Sequence, residues 1–394
     1  MRRTVIVGGK RTPFGRLQGS LSSLSASDLG AQAIKGAVEA SAIDVEQIEY
    51  CILGTVLQAE QGQLPSRQAM IKAGLSWNTE TETINKVCAS GMRSVTLADQ
   101  LIRLGTYETA VAGGMESMSN APYVVSGARS GLRMGDGKLR DLMIYDGLTC
   151  SFTGVHMGVY GNQVAEDLEI TRQDQDEWAY RSHQLAVQAI EEGKFADEIT
   201  PVQIVTKKQT IEVTQDEAPR KDTTLEKLQS LRSAFSKDGT ITAGNAPGVN
   251  DGAAAMVLTS EDYAIQQGLK IEAYIVDHAQ VAIEAKEFPT TPGVVINKLL
   301  EQTGKSVDDI DIFEINEAFA MATLASMKLA NLPADKVNVN GGAVALGHPI
   351  GASGARIILT MMNELKRRGG GIGIAAICSG GGQGDAIMIE VPKN

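Results

Sequence analysis

The chain has 394 residues, of which 43% are hydrophobic and 21% are charged, so it can form a large core and is unlike a disordered protein. It carries 36 Lys and Arg against 47 Asp and Glu, which gives a net charge of −11 with His neutral. This acidic balance argues against a nucleic-acid-binding protein, which would need a basic face. At about 150 residues per domain, the length predicts two or three domains.

The sequence carries no pattern typical of export or of a membrane span, and we expect a cytoplasmic protein. The apolar stretch near the N-terminus covers only 5–7, which is too short for the apolar part of a signal peptide. No apolar run approaches the roughly 20 residues of a membrane span. Because Cys51, Cys88, Cys150 and Cys378 are widely spaced, we expect free thiols rather than disulfides or a zinc site.

Strand and helix patterns alternate over the first 120 residues, which is typical of an α/β domain with a buried sheet. Ser27 is a candidate cap of the first helix. The predicted strands are 5–7, 50–57, 81–87 and 109–112, and the predicted helices are 27–40, 66–73 and 90–104.

The segment from about 120 to 249 is richer in glycine and charge, and we interpret it as an insertion. It contains one amphipathic helix, predicted from its cap Thr171 to about Gly193, and then a polar hairpin at 201–214. Insertions on a rigid α/β scaffold commonly carry substrate-binding loops. The alternative is a surface elaboration that serves only oligomerisation.

Two short segments resemble each other, Cys-Ala-Ser-Gly-Met-Arg at 88–93 and Gly-Ala-Ser-Gly-Ala-Arg at 351–356. Each opens an apolar helix, and we expect the strand after each helix to end in glycines, at 113–114 and 380–382. A match of six residues also arises by chance. The shared pattern that follows it favours a duplicated α/β domain.

Cys88 lies where the predicted strand 81–87 turns into a helix. A thiol at a helix N-terminus is expected to have a lowered pKa, because unpaired N–H groups and the helix dipole stabilise the thiolate. The position is similar to a nucleophile elbow, in which a tight bend exposes the reactive side chain. A buried structural cysteine fits the position equally well.

Three further residues lie beside glycine turns or strand ends. Cys378 comes before the glycines 380–382, whose N–H groups are suited to an oxyanion hole. His348 lies between a glycine and a proline, which makes it a poor candidate for a packing role. Asn316 follows the predicted strand 311–315 and is either functional or the N-cap of a helix.

Taken together, five motifs resemble the thiolase family and, within it, its acetyl-CoA acetyltransferase branch. The similarity extends from residue 5 to residue 391, and the motifs occur in the family's order. The resemblance implies an α/β fold with duplicated αβαβα layered domains, each with a mixed sheet, plus an inserted α/β loop domain. The motifs are 85–91, 113–119, 316–319, 347–351 and 378–382.

The same resemblance implies how the chain is divided. Residues 1–119 form an N-terminal thiolase half, which is completed by about 250–270. Residues 120–249 form the inserted loop domain, which binds coenzyme A, and residues 271–394 form the C-terminal thiolase half. Association into a homodimer or a homotetramer is implied in the same way, with neither nucleic acid nor membrane as a partner.

The implied activity is the reversible condensation of two acetyl-CoA to acetoacetyl-CoA and CoA through an acetyl-Cys88 intermediate. Cys88 is then the nucleophile, His348 its base and Cys378 the acid and base of the second step. Asn316 holds a water that stabilises the enolate together with His348, and the N–H groups of Cys88 and Gly380 receive the oxyanion. No metal or cofactor is required, since coenzyme A and acetyl-CoA are substrates.

The resemblance assigns most substrate contacts to the insertion. Arg220 would meet the nucleotide end of coenzyme A, although a solvated charge is the alternative. His156 and Met157 belong to a loop over the acyl pocket. The other positions implied along the pantetheine path are Phe235, Ala243, Gly244, Ala318 and Phe319.

Two departures from the family pattern leave the chain-length preference open. Pro247 stands where many acetoacetyl-specific members carry Ser, so one hydrogen bond to the pantetheine arm is lost. Phe288 belongs to a segment that replaces a Met-Gly-x-Gly-Pro pattern, and it either narrows the acyl pocket or points away from it. The alternative activity is therefore a broader degradative 3-ketoacyl-CoA thiolase of fatty acid β-oxidation.

Two other classes fit the sequence less well. A ketosynthase acting on carrier proteins would be expected to use one Cys with two His, whereas this chain has a second Cys and an Asn. A catalytically silent scaffold would have no need to keep Cys88, Asn316, His348 and Cys378 together. The four residues favour an enzyme.

Overall fold

Strands and helices alternate along the computed structural model, which describes residues 2–393. The strands are β1 Thr4–Arg11, β2 Gly15–Arg16, β3 Tyr50–Gly54, β4 Glu80–Ile84, β5 Thr109–Ser117, β6 Tyr123–Val125, β7 Leu139–Asp141, β8 Val202–Val205, β9 Thr210–Val213, β10 Asn250–Ser260, β11 Ala273–Ala282, β12 Ile312–Ile315, β13 Gly371–Ser379 and β14 Gln383–Val391. The helices are α1 Ala26–Ser41, α2 Pro65–Lys72, α3 Ser90–Arg103, α4 Met157–Asp167, α5 Arg172–Glu191, α6 Leu225–Gln229, α7 Glu261–Gln267, α8 Thr291–Thr303, α9 Ala320–Ala330, α10 Ala343–Leu346 and α11 Ser353–Arg367.

A large mixed sheet runs through the molecule in the order β12-β13-β14-β11-β1-β10-β5-β3-β4, and β2 pairs with β10. In its N-terminal part, β4, β3 and β5 are parallel neighbours, and β10 and β1 follow in antiparallel pairing. The C-terminal part repeats this scheme, because β12 is parallel to β13, and β14 and β11 follow antiparallel. The two parts join through two residue pairs, Val5 with Tyr274 and Ile6 with Ala273.

Helices form layers on both sides of the sheet and between its two parts. Val95 and Ile102 of α3 share a buried core with Ile358 and Met361 of α11 and with strands of both parts. The helices α1 and α2 pack on the outer face of the N-terminal part, and α8 and α9 pack on the outer face of the C-terminal part. The predicted duplicated αβαβα fold is therefore confirmed. Within residues 2–393, no helix combines the length and hydrophobicity that a membrane span requires.

The helices α1 and α5 are capped by hydroxyl side chains, as predicted, but the cap of α1 is a different serine from the predicted one. The prediction that Ser27 caps α1 is wrong, because Ser25 is the cap and forms a reciprocal capping box with Asp28. The prediction for α5 is confirmed, since Thr171 forms the same box with the acidic residue three positions later. The polar hairpin at 201–214 is present as β8 and β9.

Strand ends differ between the two halves. Gly113 and Gly114 do not end β5, which continues to Ser117, so that prediction is wrong. They serve close backbone approach instead, since a Cβ on Gly114 would lie 1.9 Å from the carbonyl oxygen of Gly351. The strand β3 ends at residue 54, earlier than the predicted 57. In the second half, β13 ends before the glycine turn, as predicted.

The helices α3 and α11 approach each other through glycines. A Cβ added to Gly91 would lie 2.8 Å from the carbonyl oxygen of Gly351 and 2.9 Å from the backbone nitrogen of Ala355. Both contacts are with backbone atoms, which cannot move aside as a flexible side chain can. The packing of the two halves beside Cys88 therefore depends on this small residue.

We predict that Gly91→Ala destabilises the protein by about 1–3 kcal/mol, which corresponds to a fall in melting temperature of about 2–10 °C. The matched control is Gly137→Ala, because a Cβ there would meet only the side chains of Leu132 and Val125. Thermal unfolding of both variants checks this expectation. Equal melting temperatures for the two variants would contradict it.

Candidate active site

The predicted catalytic residues converge on an apolar cavity of about 250 Å³. Cys88, from the bend before α3, lines it together with His348 and Gly380 from the C-terminal half. Cys378, the penultimate residue of β13, is buried beside the cavity in a cluster that includes Phe319. The N-terminal half thus supplies one thiol, and the C-terminal half supplies the imidazole and the second thiol.

His348 is held in one orientation by three hydrogen bonds. Its Nδ1 lies 2.6 Å from the hydroxyl of Ser353, which itself donates to the carbonyl of Pro349 at 2.9 Å. Because the serine proton is used in that second bond, we assign the imidazole proton to Nδ1, which leaves Nε2 its lone pair. The backbone N–H of His348 donates to Asn250 at 3.0 Å, and its Nε2 lies 3.5 Å from the Asn316 amide nitrogen.

Asn316 faces His348 and does not cap a helix, so the N-cap interpretation is wrong. The helix α9 starts at residue 320, and its N-cap is Phe319, which makes no side-chain cap. Asn316 is fully buried, and its Oδ1 has no hydrogen-bond partner among the described residues. A buried amide oxygen without a partner is a ready acceptor for a water or a substrate group.

The neighbouring Glu317 fixes the loop that carries Asn316. Its buried carboxylate accepts four hydrogen bonds, two from α5 and two from the segment 338–344. The donors are Trp178 Nε1 at 2.8 Å, the Ser182 hydroxyl at 2.8 Å, Asn338 Nδ2 at 3.0 Å and the Val344 N–H at 2.9 Å. A buried carboxylate with this many donors is satisfied, which holds the loop rigidly.

The thiol of Cys88 does not have the lowered pKa that the sequence predicts. Burial raises the pKa of Cys88 to about 12, and the N–H groups of Cys88 and Gly380 offset this only in part. The prediction is therefore wrong for the free protein, because the desolvation cost in an apolar cavity exceeds the stabilisation that these two donors supply. The same two donors do converge on the thiol, as the predicted oxyanion site requires.

The other catalytic groups are also neutral in the free protein. Burial, reinforced by the Arg356 guanidinium, lowers the pKa of His348 to about 3. Burial and the neighbouring Cys88 thiol raise the pKa of Cys378 far above its ordinary range. The resting site therefore contains a neutral imidazole and two neutral thiols.

A second buried carboxylate, that of Glu116, joins the two halves beside the cavity. It accepts hydrogen bonds from the N–H groups of Val56 at 3.0 Å and Leu57 at 3.1 Å in the N-terminal half. It also accepts one from the N–H of Gly351 at 2.9 Å, in the loop that carries His348. Burial raises the pKa of Glu116 to about 7 despite these donors.

The walls of the cavity are aromatic and aliphatic. His156 stacks on Phe235 with ring centroids 4.3 Å apart, and Phe235 meets Phe319 edge to face at 6.0 Å. Phe288 is buried and lines the cavity, so it narrows the pocket and does not point away. The remaining predicted residues that line it are Met157, Pro247 and Ala318.

Three residues predicted to contact coenzyme A lie outside this cavity. Arg220 is exposed, and its backbone N–H donates to His183 Nδ1 at 3.1 Å. Ala243 is exposed, whereas Gly244 is buried, with the nearest side chains those of Leu231 and Leu228. Their roles stay predictions.

Sequence reasoning missed the residues that position the catalytic groups. Ser353, Asn250, Glu116 and Glu317 all bond to catalytic loops, yet none was a candidate. The signal for the two glutamates was present, because each is a charged residue within a motif that adjoins an apolar strand, and a buried carboxylate must be paired. For Asn250 the sequence holds no such signal, since its partner His348 is distant in the chain. Ser353 lies only five residues from His348, but nothing in its residue type marks it as the partner of the imidazole.

Comparison with known proteins agrees with this architecture. Residues 4–262 match the thiolase N-terminal domain family, and residues 269–391 match the thiolase C-terminal domain family. The chain belongs to the thiolase family. It is 48% identical over 391 residues to an acetyl-CoA acetyltransferase of Escherichia coli, with 99% of each chain covered.

Two further similarities support the family assignment. This thiolase is 47% identical to a probable acetyl-CoA acetyltransferase of Mycobacterium tuberculosis, with 99% of this chain and 100% of that one covered. It superposes on the crystal structure of the Bacillus anthracis acetyl-CoA acetyltransferase with a TM-score of 0.98 at 41% identity, covering 100% and 99% of the two chains. The protein is therefore an enzyme, an acyltransferase of the thiolase type.

His183, which supports the segment that carries Arg220, generates a pH prediction for this thiolase. Burial, reinforced by Arg220, lowers the pKa of His183 to about 4. Below about pH 6.5 the imidazole of His183 is protonated in the unfolded chain, whereas in the folded chain it stays neutral down to about pH 4. The free energy of unfolding therefore decreases as the pH falls from about 6.5 to 4. His183→Gln keeps an acceptor for the Arg220 N–H but cannot titrate.

We predict that the stability of wild type relative to His183→Gln falls by about 2 kcal/mol between pH 7 and pH 5. Denaturant unfolding of both proteins at the two pH values measures the difference. A difference that does not change with pH would contradict the burial of a neutral imidazole at this position.

Proposed function

We propose that this thiolase interconverts two molecules of acetyl-CoA with acetoacetyl-CoA and CoA, by a ping-pong mechanism through acetyl-Cys88. The observation that carries the proposal is that Cys88 and His348 line one apolar cavity, with Cys378 buried beside it and with the amide oxygen of Asn316 lacking a partner among the described residues. The names of the relatives at 47–48% identity support acetyl-CoA as the substrate.

The first half-reaction transfers the acetyl group to the protein. Cys88 gives its proton to the unprotonated Nε2 of His348 as its sulfur bonds to the carbonyl carbon of acetyl-CoA. The N–H groups of Cys88 and Gly380 receive the negative charge that develops on the carbonyl oxygen. When the C–S bond to coenzyme A breaks, Cys378 protonates the departing sulfur, which leaves CoA, acetyl-Cys88 and a Cys378 thiolate.

The second half-reaction forms the carbon–carbon bond. The Cys378 thiolate removes a methyl proton from a second acetyl-CoA, and the high pKa that burial gives this thiol makes its thiolate a strong base. His348 and a water held by Asn316 stabilise the enolate oxygen. The enolate carbon attacks the acetyl carbonyl, the bond to Cys88 breaks, and protonated His348 returns its proton to the Cys88 sulfur.

These steps use side chains and backbone groups of this chain, one water, coenzyme A and acetyl-CoA. Contact of Arg220 with the nucleotide end, association into dimers or tetramers, and a cytoplasmic location stay predictions from the sequence. The physiological direction depends on metabolite levels, because the same groups accelerate both directions.

We predict that Cys378→Ala separates the two half-reactions. Condensation of acetyl-CoA should fall at least about 10³-fold, because no base remains for the methyl proton. Exchange of acetyl groups between acetyl-CoA and labelled CoA should fall much less, because Cys88 and His348 are intact and protonated His348 can replace Cys378 as the proton donor to the departing sulfur. Cys51→Ala is the matched control, since Cys51 is a buried thiol in β3 outside the cavity.

Cys88→Ser should abolish both half-reactions, because a hydroxyl is a far weaker nucleophile than a thiol in the same position. After incubation with acetyl-CoA, mass spectrometry should find an acetyl group on Cys88 in Cys378→Ala. It should find none at position 88 in Cys88→Ser. Condensation that survives in Cys378→Ala, or thiolysis near the wild-type rate in Cys88→Ser, would refute the proposed roles.

We also predict that Phe288 limits chain length. Because its side chain lines the cavity beside Met157 and Phe319, Phe288→Ala should enlarge the pocket. The ratio of kcat/KM for thiolysis of 3-ketohexanoyl-CoA to that of acetoacetyl-CoA should rise about tenfold or more in the variant, a gain typical of one or two accommodated methylenes. Wild type cleaving the longer substrate equally well would favour the degradative 3-ketoacyl-CoA thiolase.

A further inference from the structure

The bend that carries Cys88 is strained. Val87, directly before the nucleophile, has a φ of 48°, in the left-handed region that β-branched residues rarely adopt. Such a conformation costs energy and persists only where surrounding contacts fix it. The contacts of this bend therefore identify what holds the nucleophile in place.

Both peptide groups of Val87 are held by side chains. Ser90, the first residue of α3, has a fully buried hydroxyl that donates to the carbonyl of Val87 at 2.6 Å. The same hydroxyl accepts a hydrogen bond from the N–H of Lys86 at 2.8 Å. On the exposed side, Asn85 Oδ1 accepts from the N–H of Val87 at 2.9 Å. The buried serine thus closes the bend across the strained residue.

The conformation of Val87 sets the direction of the next N–H group, that of Cys88. This group and the N–H of Gly380 converge on the Cys88 thiol. One comes from the bend and the other from the end of β13, so a rotation at Val87 would move one donor relative to the other. A misalignment of this kind weakens the binding of an oxyanion far more than the binding of a substrate.

We propose that Ser90 is a positioning residue for acyl transfer, because its hydroxyl holds Val87 in the left-handed conformation and so aims the Cys88 N–H at the reacting carbonyl oxygen. The inference rests on the proposed function. It assigns the serine no contact with substrate, since its side chain bonds only to the backbone of Lys86 and Val87.

The first test compares Ser90→Ala with Ser94→Ala. Ser94 is a matched control, because it is a buried serine one turn further along α3, with its hydroxyl bonded to the carbonyls of Gly91 and Gly113. Ser90→Ala should lower kcat for thiolysis of acetoacetyl-CoA by about 10–100-fold, with KM within about threefold of wild type. Ser94→Ala should lower kcat by less than about threefold.

The second test relieves the strain. Glycine adopts a positive φ without steric cost, so Val87→Gly should make the serine hydroxyl unnecessary. In a Val87→Gly background, Ser90→Ala should lower kcat by less than about threefold. In a Val87→Ala background, which also removes most of the side chain but keeps Cβ, the loss should stay near 10–100-fold.

Equal losses of kcat in Ser90→Ala and Ser94→Ala, a loss confined to KM, or the absence of rescue by Val87→Gly would overturn the positioning role. Alkylation of Cys88 by iodoacetamide, followed by mass spectrometry, tests the positioning role independently of the proposed function, because alkylation needs no acyl-CoA. If wild type transfers no acetyl group, slower labelling in Ser90→Ala than in Ser94→Ala still supports the role. Equal labelling rates in the two variants overturn it.

Discussion

The carboxylate of Glu116 spans the joint on which the whole site depends. Cys88 comes from the N-terminal half and His348 from the C-terminal half, and within residues 2–393 the two parts of the sheet share only two residue pairs. Two donors to Glu116 come from the loop after β3, and a third comes from Gly351 beside His348. Burial favours the neutral form of Glu116, whereas the hydrogen-bond donors favour the charged form. A charged carboxylate that accepts hydrogen bonds from both loops links them to each other.

Close backbone approach at the same joint explains the glycines of the motifs. The carbonyl of Gly351 lies against both Gly91 on α3 and Gly114 on β5. Any side chain at these two positions would push α11 and its preceding loop away from Cys88. The glycines are therefore spacers that set the thiol-to-imidazole geometry, and only some of them, such as those after β13, form turns.

The layered fold could be predicted from local patterns together with the resemblance to the thiolases. The structure places two of the candidate residues, Cys88 and His348, on one cavity, with Cys378 buried beside it. The cap at Thr171, the hairpin at 201–214 and the glycine turn after Cys378 all depend on neighbours in the chain. The end of β5 and the pKa of Cys88, two of the features that failed, depend on distant contacts, whereas the wrong cap of α1 was a local choice between Ser27 and Ser25. From the sequence, Gly113 and Gly114 resemble a strand end. In the structure, the carbonyl of Gly351 occupies the space where a Cβ of Gly114 would lie.

The pKa of Cys88 failed for the same reason, because its sign depends on how much water the folded cavity excludes. A helix N-terminus lowers a thiol pKa at an accessible site, whereas here the thiol lies among apolar walls formed by residues far away in sequence, such as Ile350 and Phe288. Local sequence reports the donors that surround the sulfur. It does not report the desolvation that opposes them.

A neutral resting pair has a consequence for how the proposed chemistry is driven. With the pKa of Cys88 raised to about 12 and that of His348 lowered to about 3, proton transfer between them is strongly unfavourable before substrate binds. The transfer becomes favourable only as the sulfur–carbon bond forms, because the negative charge then moves to the carbonyl oxygen between the N–H groups of Cys88 and Gly380. The oxyanion contacts thus provide most of the stabilisation of the transition state in this step. The strained φ of Val87 is tolerated because the bend helps to position one of these contacts, the N–H of Cys88.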